Sequence, residues 1–99
     1  MRLTPDQAQK IRHAVDRVLV TPNRIWLFGS RVDDSLRGGD IDLLVETDTT
    51  LINRAEALCR LHAALTMALG DRKLDILLKD GRTREIPVFS IARRTGILL

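Results

Sequence analysis

Strand-length apolar runs alternate with helix-length amphipathic stretches along these 99 residues, and that alternation predicts an α/β layer fold. Three runs are strand-like: Arg24 to Phe28, Asp40 to Glu46 and Lys73 to Leu78. A long helical pattern precedes the first run, another separates the second from the third, and a short one follows. There is no repeat, linker or low-complexity segment, so residues 1–99 are expected to form one domain. A chain of this length buries about 60–65% of its unfolded surface, too little for a second lobe.

In the first helix Thr4 caps, Pro5 takes the first helical position and Gln7 can close a capping box. Ala8, Ile11, Val15, Val18 and Leu19 then share a face, and Thr21-Pro22-Asn23 stops the helix. The first strand, Ile25-Trp26-Leu27-Phe28, is apolar on both sides, as in a strand covered on both faces. A short helical turn is expected over Ser30 to Asp34. Ser35 to Gly39 is polar and Gly-rich, a loop expected to move when empty. The second strand sets Asp40, Asp42 and Leu44 on one face and Ile41, Leu43 and Val45 on the other. Only its leading end is polar, which places that end at a sheet edge or rim.

Thr49 or Thr50 is the expected cap of the second helix. Its stripe reads Ile52, Ala55, Cys59, His62, Thr66 and Leu69, broadened by Leu51, Leu58 and Leu65, with Gly70 as terminator. The third strand carries Asp75 near its start. Asp80-Gly81 is a turn signal, Ile86 to Arg94 a short helix, and Ile97-Leu98-Leu99 a last extended segment.

Composition narrows the classes. The apolar share is 44% and the charged share 29%, as in an ordinary soluble domain, and no run is long enough to span a membrane. The single Cys59 cannot form an internal disulfide; it is expected to be a buried packing residue, in keeping with a cytoplasmic protein without a signal peptide. His13 falls on a polar helix side and His62 among apolar positions, where a partly buried histidine is the expectation. The net charge is +3 and the bases are mostly Arg, which suits phosphates or carboxylates as partners. Tyr is absent and Trp26 and Phe28 lie in an apolar strand, so a nucleic-acid partner is disfavoured. Arg82, Arg84, Arg93 and Arg94 read first as a solvated face and second as a docking surface.

The chemistry gathers at two places. Gly29-Ser30 leaves the first strand as a small turn that can present backbone N–H groups and a hydroxyl to an anion. Asp40 and Asp42, two apart on a strand, face the same way with Cα atoms about 7 Å apart, within reach of one cluster of hard cations. At about 5 Å and an effective dielectric near 20, two carboxylates repel by roughly 3 kcal/mol, a cost that a cation removes. Asp75 sits in a like setting. A phosphate grip beside a metal site points to phosphoryl or nucleotidyl transfer. Arg31 can reach phosphate or pair with Asp33 or Asp34. For Asp75 the plainer reading is a solvated charge paired with Lys73 or Arg72.

Leu27-Phe28-Gly29-Ser30-Arg31, Asp40-Ile41-Asp42-Leu43-Leu44-Val45 and Leu74-Asp75-Ile76-Leu77 together resemble the minimal nucleotidyltransferases of the DNA polymerase beta superfamily. The resemblance spans roughly Arg24 to Leu78, with Gly39 where members often carry Ser. It implies a nucleotidyltransferase fold, a small mixed sheet with helices packed on it. It implies Gly29, Ser30 and Arg31 for the nucleotide, Asp40 and Asp42 for two Mg²⁺ ions, and Asp75 as metal ligand or general base. By the same resemblance the substrate is a nucleoside triphosphate, ATP first among them. The partner it implies is a small helical HEPN-type protein, which the chain would serve as antitoxin. A small-molecule acceptor of the aminoglycoside type and a catalytically weak partner-binding module are the alternatives.

Overall fold

In a computed structural model of the chain, the residues described are 3–29, 41–70 and 72–99. Helix α1 spans Pro5–Val18 and begins as its sequence dictates. The Thr4 hydroxyl accepts from the Gln7 amide at 3.1 Å, and the Gln7 side chain accepts from the Thr4 amide at 3.0 Å. Ile11, Ala14 and Val15 are buried, and the helix ends as the Leu19 amide donates to Val15 O at 2.8 Å.

Strand β1 (Asn23–Phe28) pairs antiparallel with β2 (Ile41–Thr47), which pairs parallel with β3 (Leu74–Lys79). A two-residue β4 (Ile97–Leu98) lies antiparallel on the far side of β1, giving the order β3-β2-β1-β4. The parallel pair requires a crossover, supplied by α2 (Arg54–Leu69). Among the described residues the architecture is therefore three helices on a four-stranded mixed sheet, the α/β class expected.

The two sheet faces are covered differently. Ile25, Leu27, Ile41, Leu43 and Val45 are fully buried in the cluster that holds Ile11 and Val15 of α1 and Leu61 and Leu65 of α2. On the other face, α3 (Pro87–Thr95) sets Phe89 and Ala92 against Leu44, with Trp26, Phe28 and Leu77 packed alongside. Burial on both faces is why β1 and β2 read as continuous apolar runs rather than alternating ones.

The expected cap and the expected buried stripe of α2 are both corrected. Its cap is Asn53, whose side chain accepts from the Glu56 amide at 3.0 Å, and not Thr49 or Thr50. The residues before it are drawn elsewhere: the Leu51 amide donates to Asp80 Oδ2 at 2.9 Å and the Gly81 amide to Thr49 O at 3.2 Å. The buried stripe is shifted toward one side of the one expected. Leu65, Leu58, Leu51 and Leu69 pack on the core as expected and Leu61 joins them, with Ala64 and Ala68 beside, while Ile52, Ala55, Cys59 and His62 are exposed. The leucines carry more apolar area than Cys, His and Thr, so burying their side of the helix is the stronger solution.

Candidate functional site

Antiparallel β1 and parallel β3 on either side of β2 bring the end of β1 and the starts of β2 and β3 to one rim of the sheet. The ladder holds to that rim, where the Ile41 amide donates to Lys73 O at 3.0 Å. Asp42 is thus at a rim on β2, an interior strand paired on both sides, and Asp75 stands beside it on β3, the edge strand. Pairing on both sides fixes the backbone beneath Asp42.

Gly29 follows the last residue of β1 with φ +75°, a left-handed backbone that favours glycine. A Cβ there would lie 3.1 Å from Cγ and 3.3 Å from Cβ of Asp42, and would overlap its Oδ2. Glycine is therefore required twice, by its backbone angle and by the carboxylate standing against it. Asp42 is opposite Phe28 in one ladder and level with Asp75 in the other. Neighbouring strands lie about 4.8 Å apart and level residues share a face, so the two carboxylates project side by side. Asp42 is half-buried and Asp75 exposed. Among the described residues Asp75 forms no ion pair, so the pairing with Lys73 or Arg72 is not made.

Ser30, Arg31 and Asp40 lie outside the described residues, as do the turn expected over Ser30 to Asp34 and the loop from Ser35 to Gly39. The described part of the expected trio is Asp42 and Asp75. Among the described residues no three His, Cys, Asp or Glu side chains gather as a metal site. The two carboxylates are hard oxygen donors, adjacent on one face, of the kind that could hold a divalent cation, with a backbone drawn close by a glycine. His13 and His62 are exposed on different helices, away from this rim.

Farther along the same face of β2 is a carboxylate with a different role. Glu46 is 4% exposed and accepts from Trp26 Nε1 at 2.8 Å, with Arg24 Nε at 3.5 Å. Arg93 of α3 bonds Glu46 through one guanidinium nitrogen and Glu85 through another. This network ties α3 to the sheet behind the site, and Arg93 is not part of a solvated face. Asp80, 3% exposed, is a second buried carboxylate. It accepts from the amides of Leu51, Arg82 and Thr83 at 2.9, 3.0 and 3.0 Å and from the Thr83 hydroxyl at 2.8 Å. Burial alone would push its carboxyl up, but these hydrogen bonds outweigh it and hold the group below the ordinary carboxylate range. Both carboxylates are structural. The spacing Asp80-Gly81-Arg82-Thr83 is a local signal for an Asx-type turn, whereas nothing near Glu46 in sequence points to Arg93, 47 residues on.

A scan against protein-family models finds no match for this chain, and a search of the curated proteins finds none either.

Proposed function

We propose that this chain is a magnesium-dependent nucleotidyltransferase that moves a nucleoside monophosphate, AMP foremost, from a nucleoside triphosphate to an acceptor hydroxyl, with pyrophosphate leaving. One observation carries the reading: Gly29, at positive φ, is packed against Asp42, which stands level with Asp75 on the same sheet face. That is the juxtaposition a phosphate turn and a metal-binding carboxylate pair require.

In this reading Asp42 and Asp75, with Asp40, hold the magnesium ions. Bound magnesium would neutralise charge on the triphosphate and lower the pKa of the attacking hydroxyl. Gly29 lets the backbone approach, and the N–H groups that follow it, with the Ser30 hydroxyl and Arg31, hold the terminal phosphates. Asp75 would take the proton of the acceptor hydroxyl or complete the ion shell, a role supported by its exposure and its position level with Asp42. The acceptor we favour is a side chain on a small helical protein of the HEPN type, which the transfer would silence. The support for that partner is the resemblance carried by Gly29-Ser30-Arg31, Asp40-Ile41-Asp42 and Asp75.

The test is incubation with labelled ATP, Mg²⁺ and the neighbouring gene product, followed by intact mass of both proteins. Transfer of one nucleoside monophosphate to the partner, lost in Asp42→Asn, is the expected result. Mg²⁺ and ATP together should also raise the melting temperature by on the order of 10 °C, since ligand at about 100 times its dissociation constant adds about 2.7 kcal/mol. No transfer, and a melting temperature unmoved by Mg²⁺ with any of the four common triphosphates, refutes the reading.

A further inference from the structure

The outer side of α3 carries an apolar stripe that nothing among the described residues covers. Phe89 and Ala92 face the sheet and Arg93 leaves toward Glu46, so Val88, Ile91 and Thr95, at i, i+3 and i+7, turn away from it. Val88 is 36% and Ile91 46% exposed, and Ile86, the residue before the helix, is 43% exposed. Arg94, three residues after Ile91, lies on the same side of the helix. Arg84 lies two residues before Ile86 in the chain and Arg82 four, so basic residues precede the stripe in sequence and Arg94 follows it. All three of these arginines are exposed, and among the described residues none forms an ion pair.

We infer that this face docks an amphipathic helix of a partner protein whose apolar stripe is bordered by Asp or Glu. Charge complementarity selects that occupant. A second copy docking through the same face would set arginines against arginines, because Glu85, the acidic residue nearest α3 in the chain, is held by Arg93. Nucleic acid would satisfy the arginines but leave Val88 and Ile91 facing polar sugar and phosphate. An acidic helix meets both, with side chains at i, i+3 and i+4 laid along the stripe and carboxylates reaching the arginines in bidentate pairs. The α3 helix has nine residues, about 13 Å at 1.5 Å per residue, so it matches between two and three turns of a partner helix. The proposal is independent of the chemistry at Asp42 and Asp75.

The test uses the full chain and a labelled helical peptide of about 18 residues, five turns, with a leucine stripe flanked by Glu. The same peptide flanked by Lys, a short DNA duplex and phosphatidylserine vesicles serve as competitors. Binding of the Glu peptide about tenfold or more tighter than the Lys peptide is expected, because unlike rim charges discriminate partners. Ile91→Asp should abolish binding, and the milder Ile91→Ser should weaken it. Arg94→Glu should shift preference toward the Lys peptide. All three variants should keep the wild-type melting shift with Mg²⁺ and ATP, so failure here and failure of the nucleotide reading are seen separately. Equal binding of the two peptides, binding of neither, or DNA or vesicles bound in preference through the same residues would overturn the proposal. So would self-association of the chain that Ile91→Asp abolishes.

Discussion

Replacing Gly29 by alanine puts a carbon where the Asp42 carboxylate already stands, 3.1 Å from its Cγ and overlapping Oδ2. Two costs follow. An L side chain at φ +75° strains the backbone by about 1–2 kcal/mol. The carboxylate must also turn away, and because Oδ2 is the end of a short side chain the further cost is that of the contacts it gives up. The expected loss of stability is therefore modest, roughly 1–3 kcal/mol, or about 4–8 °C in melting temperature per kcal/mol for a domain of this size. The functional loss should be out of proportion, since the rotation takes Asp42 away from Asp75. Gly70→Ala is the control: Gly70 also has positive φ, +87°, but a Cβ there meets nothing within 4 Å. Differential scanning fluorimetry with and without Mg²⁺ and ATP reads both effects. Gly70→Ala should melt lower yet keep the ligand-induced shift, whereas Gly29→Ala should melt lower and lose most of it. A Gly29→Ala protein with the full wild-type shift would refute the argument that this contact sets the Asp42 carboxylate for the proposed metal site.

Three further outcomes test the scaffold. Arg93→Ala leaves Glu46 buried with Arg24 and Trp26 as its remaining partners, and should cost about 3 kcal/mol, the lower end for breaking a buried pair, in urea unfolding. Asp80 titrates lower in the folded chain than in the unfolded one, so its contribution is complete above the unfolded value near 3.9 and is lost as pH falls through the folded value. Asp80→Asn should accordingly cost about 1.5–3 kcal/mol at neutral pH and flatten the acid side of the stability profile, and an unchanged profile would count against the hydrogen-bonded carboxylate. The phase of α2 is tested by Leu65→Ala, expected to cost about 2–5 kcal/mol, against Cys59→Ser, expected within about 0.5 kcal/mol; equal effects on urea midpoints would contradict the burial described.

What the sequence determined by itself is local or periodic. The Thr4–Gln7 capping box, the stop after Leu19 and the helix start at Pro87 each depend on residues within a few positions of one another. The apolar run of β1 declared burial on both faces before any partner was known. The juxtapositions on which the proposed function rests are long-range and were decided by tertiary structure. Asp42 stands level with Asp75 only because β2 and β3 pair parallel in that register, and Asp42 meets Gly29 only because β1 ends where β2 begins. The stripe of α2 illustrates the limit most clearly, since two overlapping faces of that helix have helical spacing. Spacing says that a face is buried; that it turns toward Leu61 beside the expected Leu65, and away from Cys59 and His62, came from the larger apolar area those leucines bury against the sheet and α1.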